Sequence, residues 1–126
     1  MENLNDLSGI ILNNAFKVHS ELGPGLLESV YEECLYTELI ENGISVVRQK
    51  EISVLYNGKI LEKSFRADLI VENKIIVEIK SIDAFNEVHI AQILTYLKFS
   101  KLNLGLLINF NVKSLRDGLK RVIKTP

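Results

Sequence analysis

Apolar residues recur every three or four positions along the first part of the chain, which is the spacing of an amphipathic helix. This pattern runs from Leu4 to Leu22. Gly23-Pro24-Gly25 ends it, because glycine suits a helix C-terminus and proline cannot continue the helix. A second helical pattern extends from about Leu26 to Glu41 and stops at Asn42-Gly43. The pattern therefore predicts two consecutive helices.

The middle of the chain changes to β-branched and aromatic residues that partly alternate with polar ones, as strands do. Val46–Tyr56 precedes Asn57-Gly58, and Asn-Gly between two such runs is a strong signal for a hairpin. The partner strand runs from Lys59 to Val71. Turn residues Glu72-Asn73-Lys74 then lead into Ile75–Lys80. We expect three antiparallel strands in a meander.

The last part of the chain returns to a helical spacing and then to an apolar run. Residues from about Glu87 to Ser100 are spaced as a third helix. Leu104–Phe110 is almost wholly apolar, which favours a buried strand inside a sheet. Leu115–Ile123 suits a short helix or a final strand, and we favour a loop leading into a strand. The order α-α-β-β-β-α-β with a short tail predicts an α/β fold whose mixed sheet is flanked by helices.

Composition narrows the classes of protein to which the chain can belong. Its 126 residues suit one domain, and a net charge of −1 gives no overall basic signature for nucleic acid. The single Cys34 excludes an internal disulfide framework and any four-cysteine metal site within one chain. No apolar run approaches the ~20 residues of a membrane span, and the start does not resemble a signal peptide. We expect a cytoplasmic protein with no membrane partner.

Charged residues gather where the second and third strands end. A three-residue turn pairs Val71 with Ile75 and, further along, Asp68 with Glu78. Directly opposed side chains have Cβ atoms about 4.5–5.5 Å apart, so the two carboxylates repel unless a cation lies between them. Lys80 projects from the same face as Glu78, because side chains alternate along a strand. The cluster could hold a hard divalent cation beside an ammonium group; ordinary charges on an exposed strand remain the alternative.

Helical residues add three candidates. Glu28 lies in the first turn of the second helix, where a carboxylate also simply favours the helix dipole. Gln92 and Tyr96 are four residues apart on the third helix and so share one face. A tyrosine there is commonly a core residue, whereas a glutamine is unusual in an apolar stripe.

The segment from Gly25 through Glu28 to Tyr31 matches the signature Gly-x-x-Glu-x-x-Tyr. In this the chain resembles the GxxExxY proteins, a branch of the PD-(D/E)XK nuclease superfamily. The resemblance extends from the His19–Gly25 lead-in to the Leu106–Phe110 strand and Lys120-Arg121. It implies a restriction-endonuclease-like fold, with residues 1–126 as one nuclease-like domain. Arg66-Ala67 departs from the pattern, because a literal motif has proline before the first acid.

The resemblance also implies roles for residues at matching positions. Asp68, Glu78 and the carbonyl of Ile79 would bind Mg²⁺ or Mn²⁺, with Glu28 binding directly or through water. Lys80 would hold the attacking water, Gln92 would orient a water or Lys80, and Tyr96 would line the substrate path. The implied partner is nucleic acid, with DNA favoured over RNA. A homo-oligomer or a protein partner would help so small and mildly acidic a chain to hold it.

Two other functions remain open from the residues. One is a non-catalytic module on a nuclease-like fold that binds nucleic acid or protein. The other is a metal enzyme acting on a different phosphate ester, such as a nucleotide. We favour the nuclease, because a degenerate scaffold has no chemical need to keep the whole set of polar residues: Asp68, Glu78, Lys80, Glu28 and Gln92.

Overall fold

The computed structural model describes residues 3–125, so the expectations about the first two residues and about a domain reaching residue 126 extend beyond it. That part of the chain contains three α-helices, one short 3-10 helix and five strands. In chain order the elements are α1 (Leu4–Leu22), α2 (Glu28–Glu41), β1 (Val46–Tyr56), β2 (Lys59–Val71), β3 (Ile75–Lys80), α3 (Glu87–Ser100), β4 (Leu104–Asn109), the 3-10 helix (Leu115–Gly118) and β5 (Leu119–Ile123).

The strands form one sheet in the order β1-β2-β3-β4-β5. Neighbours are antiparallel except β3 and β4, which are parallel because α3 carries the chain across between them. The predicted mixed sheet flanked by helices is therefore confirmed. Both alternatives for the tail occur in succession, since the 3-10 helix leads directly into β5. No helix within residues 3–125 combines the length and apolar character needed to cross a membrane.

Helices cover both faces of the sheet. On the α1–α2 face, the apolar stripes of α1 and α2 pack against strand residues such as Leu69, Val77 and Ile108. On the α3 face, Ile93 and Leu97 of α3 pack against strand residues that alternate with the first set, including Ile76. Because both faces are covered, every residue of β4 is buried, as a near-continuous apolar run predicts.

Two boundaries differ from those expected. Helix α2 begins at Glu28 rather than about Leu26, because Gly25 takes a positive φ of 99° and Leu27 is still extended as the N-cap. Strand β4 ends at Asn109, one residue before Phe110. Glu28 is thus the first residue of its helix, and its carboxylate lies close to the end of β3.

The β1–β2 hairpin is much longer than the sheet that it joins. Strand β2 has 13 residues, yet its register with β3 covers only Leu69, Ile70 and Val71. Residues 50–66, here called the outer hairpin, pair only within the β1–β2 hairpin, from Lys50–Ala67 outward to Tyr56–Lys59. The outer hairpin therefore extends away from the sheet, starting beside the point where β2 and β3 separate.

Candidate active site

Strands β2 and β3 separate just after the Leu69–Val77 pair. The pairing therefore ends one residue short of the expected Asp68–Glu78 pair. Instead, the Glu78 carboxylate accepts a hydrogen bond from the Asp68 backbone N–H at 2.8 Å, and Asp68 Oδ2 accepts one from the Ile79 N–H at 2.8 Å. The two acids replace the missing ladder bonds, and both carboxylates converge on the gap between the strands.

An irregularity in the β1–β2 ladder frees Asp68 for this role. Arg48 pairs with Leu69 and Lys50 with Ala67, so Gln49 and Asp68 lie between two paired positions. Gln49 has a φ of +48°, which few residues other than glycine adopt. Strained backbone of this kind is frequent at functional sites. In this backbone conformation the Gln49 side-chain amide donates a hydrogen bond to Asp68 Oδ1 at 3.3 Å.

Burial and like charge raise the pKa values of both acids. Glu78 is only 3% exposed, and this burial, together with the neighbouring Asp68 charge, raises its pKa to about 8. Burial likewise raises the pKa of Asp68, although the hydrogen bond from the Ile79 N–H opposes the rise. The nearby Lys80 ammonium lowers both pKa values. A cation in the gap would favour the ionised acids in the same way, and more strongly for its double charge.

Lys80 and the Ile79 carbonyl complete this end of β3. Lys80 lies on the α3 face together with Ile76 and Glu78, because every second residue of a strand shares a face. Its side chain is partly exposed. Its own carbonyl accepts from the Phe110 N–H, which lies beyond β4. Successive carbonyls of a strand point in opposite directions, so the Ile79 carbonyl is directed toward β2, as the Ile79 N–H is. Three oxygen-bearing groups thus face the same gap.

The loop before α2 attaches Glu28 to the end of β3. Glu28 Oε2 accepts a hydrogen bond from the Ser81 N–H at 3.1 Å, and Ser81 Oγ donates to the Leu26 carbonyl at 2.7 Å. Glu28 is therefore held next to Lys80 by a backbone contact, although 53 residues separate it from Ser81 in sequence. Sequence reasoning proposed Glu28 for this neighbourhood but did not find Ser81.

The tyrosine of the Gly-x-x-Glu-x-x-Tyr segment has a structural role. Tyr31 is fully buried and its ring stacks on Phe110 with centroids 4.5 Å apart. Its hydroxyl donates to the Gly23 carbonyl at 2.6 Å and accepts from the Leu26 N–H at 3.1 Å. These bonds fold the loop over the start of α2, which fixes the position of Glu28 between them.

Glu32 is a second acid of α2 at the site, and sequence reasoning missed it. It is 7% exposed, and its Oε1 accepts from Gln49 Nε2 at 2.7 Å while Oε2 accepts from the Arg48 guanidinium at 3.1 Å. Because Gln49 also donates to Asp68, the amide links the two acids. The available signal was spacing: Glu32 follows Glu28 by four residues and so lies on the same helix face.

The α3 candidates occupy less central positions. Tyr96 is largely buried and its ring stacks on Phe65 of β2 at 4.1 Å. Burial raises the pKa of the Tyr96 hydroxyl, and the charges of Glu78 and Asp68 raise it further, so the ring lies near the acids. Gln92 is exposed, and no side-chain hydrogen bond joins it to Lys80 in the described structure. His89, one turn earlier, accepts from the Asn86 N–H and caps the helix.

Buried Asn109 holds the loop that follows Lys80. Its side chain accepts from the Ile82 N–H at 3.1 Å and donates to the Ile82 carbonyl at 2.9 Å. Both bonds connect the end of β4 to the chain just beyond β3. Asn109 thus stiffens the segment that carries Lys80, and nothing in its spacing along the chain indicated this.

An open cleft of about 700 Å³ lies on the α2 side of the candidate site. Its lining includes Glu28, Glu32, Gln49, Asp68 and Ser81. Across residues 3–125, no three acidic, histidine or cysteine side chains form a metal-binding group by themselves. Two carboxylates and one carbonyl nevertheless suit Mg²⁺, which keeps several waters and is usually bound by one or two carboxylates. The donors present therefore fit a partly hydrated hard cation.

Known proteins resemble this chain in sequence family and in fold. A family model described as the PD-(D/E)XK nuclease superfamily matches residues 5–122. The chain is similar to the crystal structure of SSO0001 with a TM-score of 0.57 and 21% sequence identity. That similarity covers 78% of this chain but only 50% of SSO0001, so the chain spans about half the length of that protein. No curated protein matched the chain.

Proposed function

Because the chain belongs to the PD-(D/E)XK nuclease superfamily, we propose that it is a metal-dependent nuclease of the GxxExxY branch that hydrolyses phosphodiester bonds of nucleic acid. One observation carries the proposal. Asp68 and Glu78 are crowded into one gap with raised pKa values, and Lys80 lies beside them. Such a cluster is unfavourable in isolation and becomes favourable when it binds a cation.

The ligands would be the carboxylates of Asp68 and Glu78 and the carbonyl of Ile79, with Glu28 attached directly or through a water. Mg²⁺ or Mn²⁺ held there would polarise the scissile phosphate and lower the pKa of a bound water. Glu28 Oε2 accepts the hydrogen bond from the Ser81 N–H, so its other carboxylate oxygen remains for a water. Glu78 must lose its proton when the cation enters, which makes binding weaker at lower pH.

The protein's own groups supply the remaining steps. The Lys80 ammonium would hold the attacking water and offset the charge that develops on the phosphate. Glu32 and Gln49 would keep Asp68 in position, since the Gln49 amide donates to both acids. Tyr96 would line the substrate path beside Phe65. Gln92 would orient a water or Lys80, and its exposure leaves it free to turn toward the substrate.

DNA is the favoured substrate, by analogy with the superfamily. The cleft lined by Glu28, Glu32 and Asp68 is acidic, so it attracts cations and repels a polyanion that arrives alone. Productive substrate binding therefore needs cationic groups outside the cleft. They could come from another part of this chain, from a second copy or from a protein partner.

The test is incubation of the protein with labelled single- and double-stranded DNA and RNA, with Mg²⁺, with Mn²⁺ or with EDTA. We expect cleavage of at least one DNA substrate that depends on the added cation. The matched variant is Lys80→Ala, which should lower the rate by about 100-fold or more, as expected for loss of a positioned catalytic group.

A thermal unfolding scan separates catalysis from cation binding. Lys80→Ala should keep the rise in Tm that the cation produces, because Asp68 and Glu78 remain. Cleavage by Lys80→Ala at the wild-type rate removes the lysine from the mechanism. Absence of cleavage by the wild type on all four substrates with either cation overturns the nuclease proposal and favours a non-catalytic module.

A further inference from the structure

The outer hairpin contributes little to the core. Apart from Ile52 and the half-buried Val54 and Phe65, its side chains are exposed, and Tyr56 and Ile60 near its turn are 65% and 73% exposed. A two-stranded ribbon of this kind is only marginally stable without packing. Its surface pattern is therefore free to serve binding rather than folding.

Charges on the outer hairpin are separated by face. Ile52 and Phe65 are opposite each other and both pack beneath α3, which identifies the α3 face. Lys50 lies two residues from Ile52 and Lys63 two residues from Phe65, so both lie on that same face. The register shifts between Ser53 and Leu55, but Tyr56 is four residues from Ile52 and pairs with Lys59, so Lys59 lies on this face as well. All three lysines are exposed, and none forms an ion pair with another described residue.

The carboxylates of the outer hairpin lie on the opposite face. Glu51 and Glu62 alternate with the lysines, and Glu51 is paired with Arg66 at 3.6 Å. The α3 face of the hairpin consequently carries positive charge without compensation. Tyr56, directly across from Lys59, adds an exposed aromatic ring to the same face.

The cationic face leads to the candidate active site. Phe65 stacks on Tyr96 at 4.1 Å, and Tyr96 lies close enough to Asp68 and Glu78 for their charges to act on its hydroxyl. Lys63 is two residues from Phe65 on the same face. A strand that followed these lysines would therefore arrive at Tyr96 and then at the acids.

We propose that the outer hairpin is a substrate-binding arm whose Lys50, Lys59 and Lys63 contact the phosphodiester backbone of a nucleic-acid strand and guide it to the site. Charge complementarity supports this occupant: the whole chain has a net charge of −1 and the cleft is acidic, yet the charged side chains on this face of the hairpin are all lysines. Exposed Tyr56 offers a ring on which a base can stack. The inference rests on the proposed function, since it names the surface that would hold the same substrate.

The test measures binding without cleavage, in EDTA, by fluorescence anisotropy of labelled single-stranded and duplex DNA over a range of salt concentrations. The arm variant is Lys50→Gln with Lys59→Gln and Lys63→Gln. The control removes the same charge at the opposite end of the sheet, by Lys74→Gln, Lys101→Gln and Lys124→Gln. Lys74 and Lys101 precede the parallel strands β3 and β4, whereas the site follows β3.

We expect the arm variant to bind at least one DNA form about tenfold more weakly at about 50 mM salt, with a salt slope shallower by about two to three. The control should stay within about twofold of the wild type. Equal weakening in both variants, or a wild-type affinity that does not change with salt, overturns the arm. The three arm lysines are exposed and the control lysines are exposed or half-buried, so both variants should fold, and circular dichroism checks this.

Two further outcomes would assign the surface to another partner. Lysine-dependent binding to phosphatidylserine vesicles without DNA binding would make it a membrane contact. A dimer in sedimentation that the arm variant abolishes would make it an interface between copies. The two proposals can be contradicted separately. DNA binding that depends on the lysines, without any cleavage, would contradict only the nuclease proposal. Cleavage by the wild type, together with unchanged DNA binding by the arm variant, would contradict only the arm.

Discussion

The end of β3 and the outer hairpin both carry charged side chains, but in opposite environments. At the end of β3, Glu78 is 3% exposed in a strand that helices cover on both faces. On the outer hairpin, Lys50, Lys59 and Lys63 project into water from a ribbon with few neighbours. The acids at the end of β3 are removed from water and act on each other's pKa values, whereas the lysines of the outer hairpin remain in water and have no charged partner among the described residues.

This difference separates two ways in which charge contributes to function. Buried acids store an unfavourable interaction that a cation can relieve, so they affect stability, pH dependence and cation binding together. Exposed lysines leave stability nearly unchanged, and in the proposed function they would act through the phosphates of the substrate. The contrast should appear in packing, in pH dependence, in cation binding and in ion pairing, in decreasing order of effect.

The largest contrast is in packing. Ile76 of β3 is fully buried, whereas Ile60 of the outer hairpin is 73% exposed. Ile76→Ala should lower the free energy of unfolding by about 2–5 kcal/mol, because it leaves a cavity beneath α3. Ile60→Ala should change it by less than about 0.5 kcal/mol. Urea unfolding of both variants checks this, and comparable losses would mean that the hairpin is part of the folded core.

The second prediction concerns pH. The pKa of Glu78 is raised from 4.5 to about 8 in the folded protein. Below about pH 4.5 both states are protonated; at higher pH the unfolded state releases its proton first. Stability from this group is therefore full at low pH and lost as the pH rises toward 8.

In EDTA, the free energy of unfolding should fall by a few kcal/mol between about pH 5 and pH 8, since each pKa unit corresponds to about 1.4 kcal/mol. Glu78→Gln should reduce this fall by more than half. Asp68, whose pKa is also raised, accounts for the remainder. A wild type whose stability rises over this range, or a variant with the same decrease, contradicts the explanation.

The third prediction concerns the cation. Asp68→Asn should lose the rise in Tm that Mg²⁺ or Mn²⁺ produces, which at ten times Kd corresponds to about 1.4 kcal/mol. Without cation its Tm should equal or exceed that of the wild type, because the repulsion with Glu78 is gone. Lys59→Gln on the outer hairpin is the control and should keep the full rise. An unchanged rise in Asp68→Asn counts against this site.

The smallest effect separates two ion pairs along the same hairpin. At its base, Arg48 bonds to the buried Glu32 and lies over the Tyr36 ring; further out, Arg66 meets the exposed Glu51. Arg48→Met should cost about 1 kcal/mol or more, because it leaves a buried carboxylate without its cation. Arg66→Met should cost less than about 0.5 kcal/mol. Equal Tm values for the two variants would remove the distinction.

Most of the fold was predictable because its signals are local. The turn at Glu72-Asn73-Lys74 is indicated by Asn73, because asparagine tolerates the positive φ that it adopts there. Glu72 also takes a positive φ, which its residue type does not indicate. With that turn in place, Val71 pairs with Ile75 as expected. Helix periodicity likewise indicated α1 and α3 with the bounds that the structure has. Such features depend on neighbours in sequence, which the chain itself specifies.

The site was only partly predictable because several of its contacts join distant segments. Spacing identified Asp68, Glu78 and Lys80, but it expected a cross-strand pair where the strands in fact separate. Glu32 and Gln49 were missed, since their link depends on how α2 lies against β1. The contact between Glu28 and Ser81 spans 53 residues and has no local signature.

The sequence alone determined the order of elements, the turn that brings two acids to neighbouring strands, and the position of a lysine two residues beyond the second. Tertiary structure decided where β2 leaves β3, which acids are buried, and which face of the outer hairpin the lysines share with the site. The physical reason is that strand propensity and turn chemistry act over a few residues. Desolvation and charge coupling depend on what the folded chain brings together across the sheet.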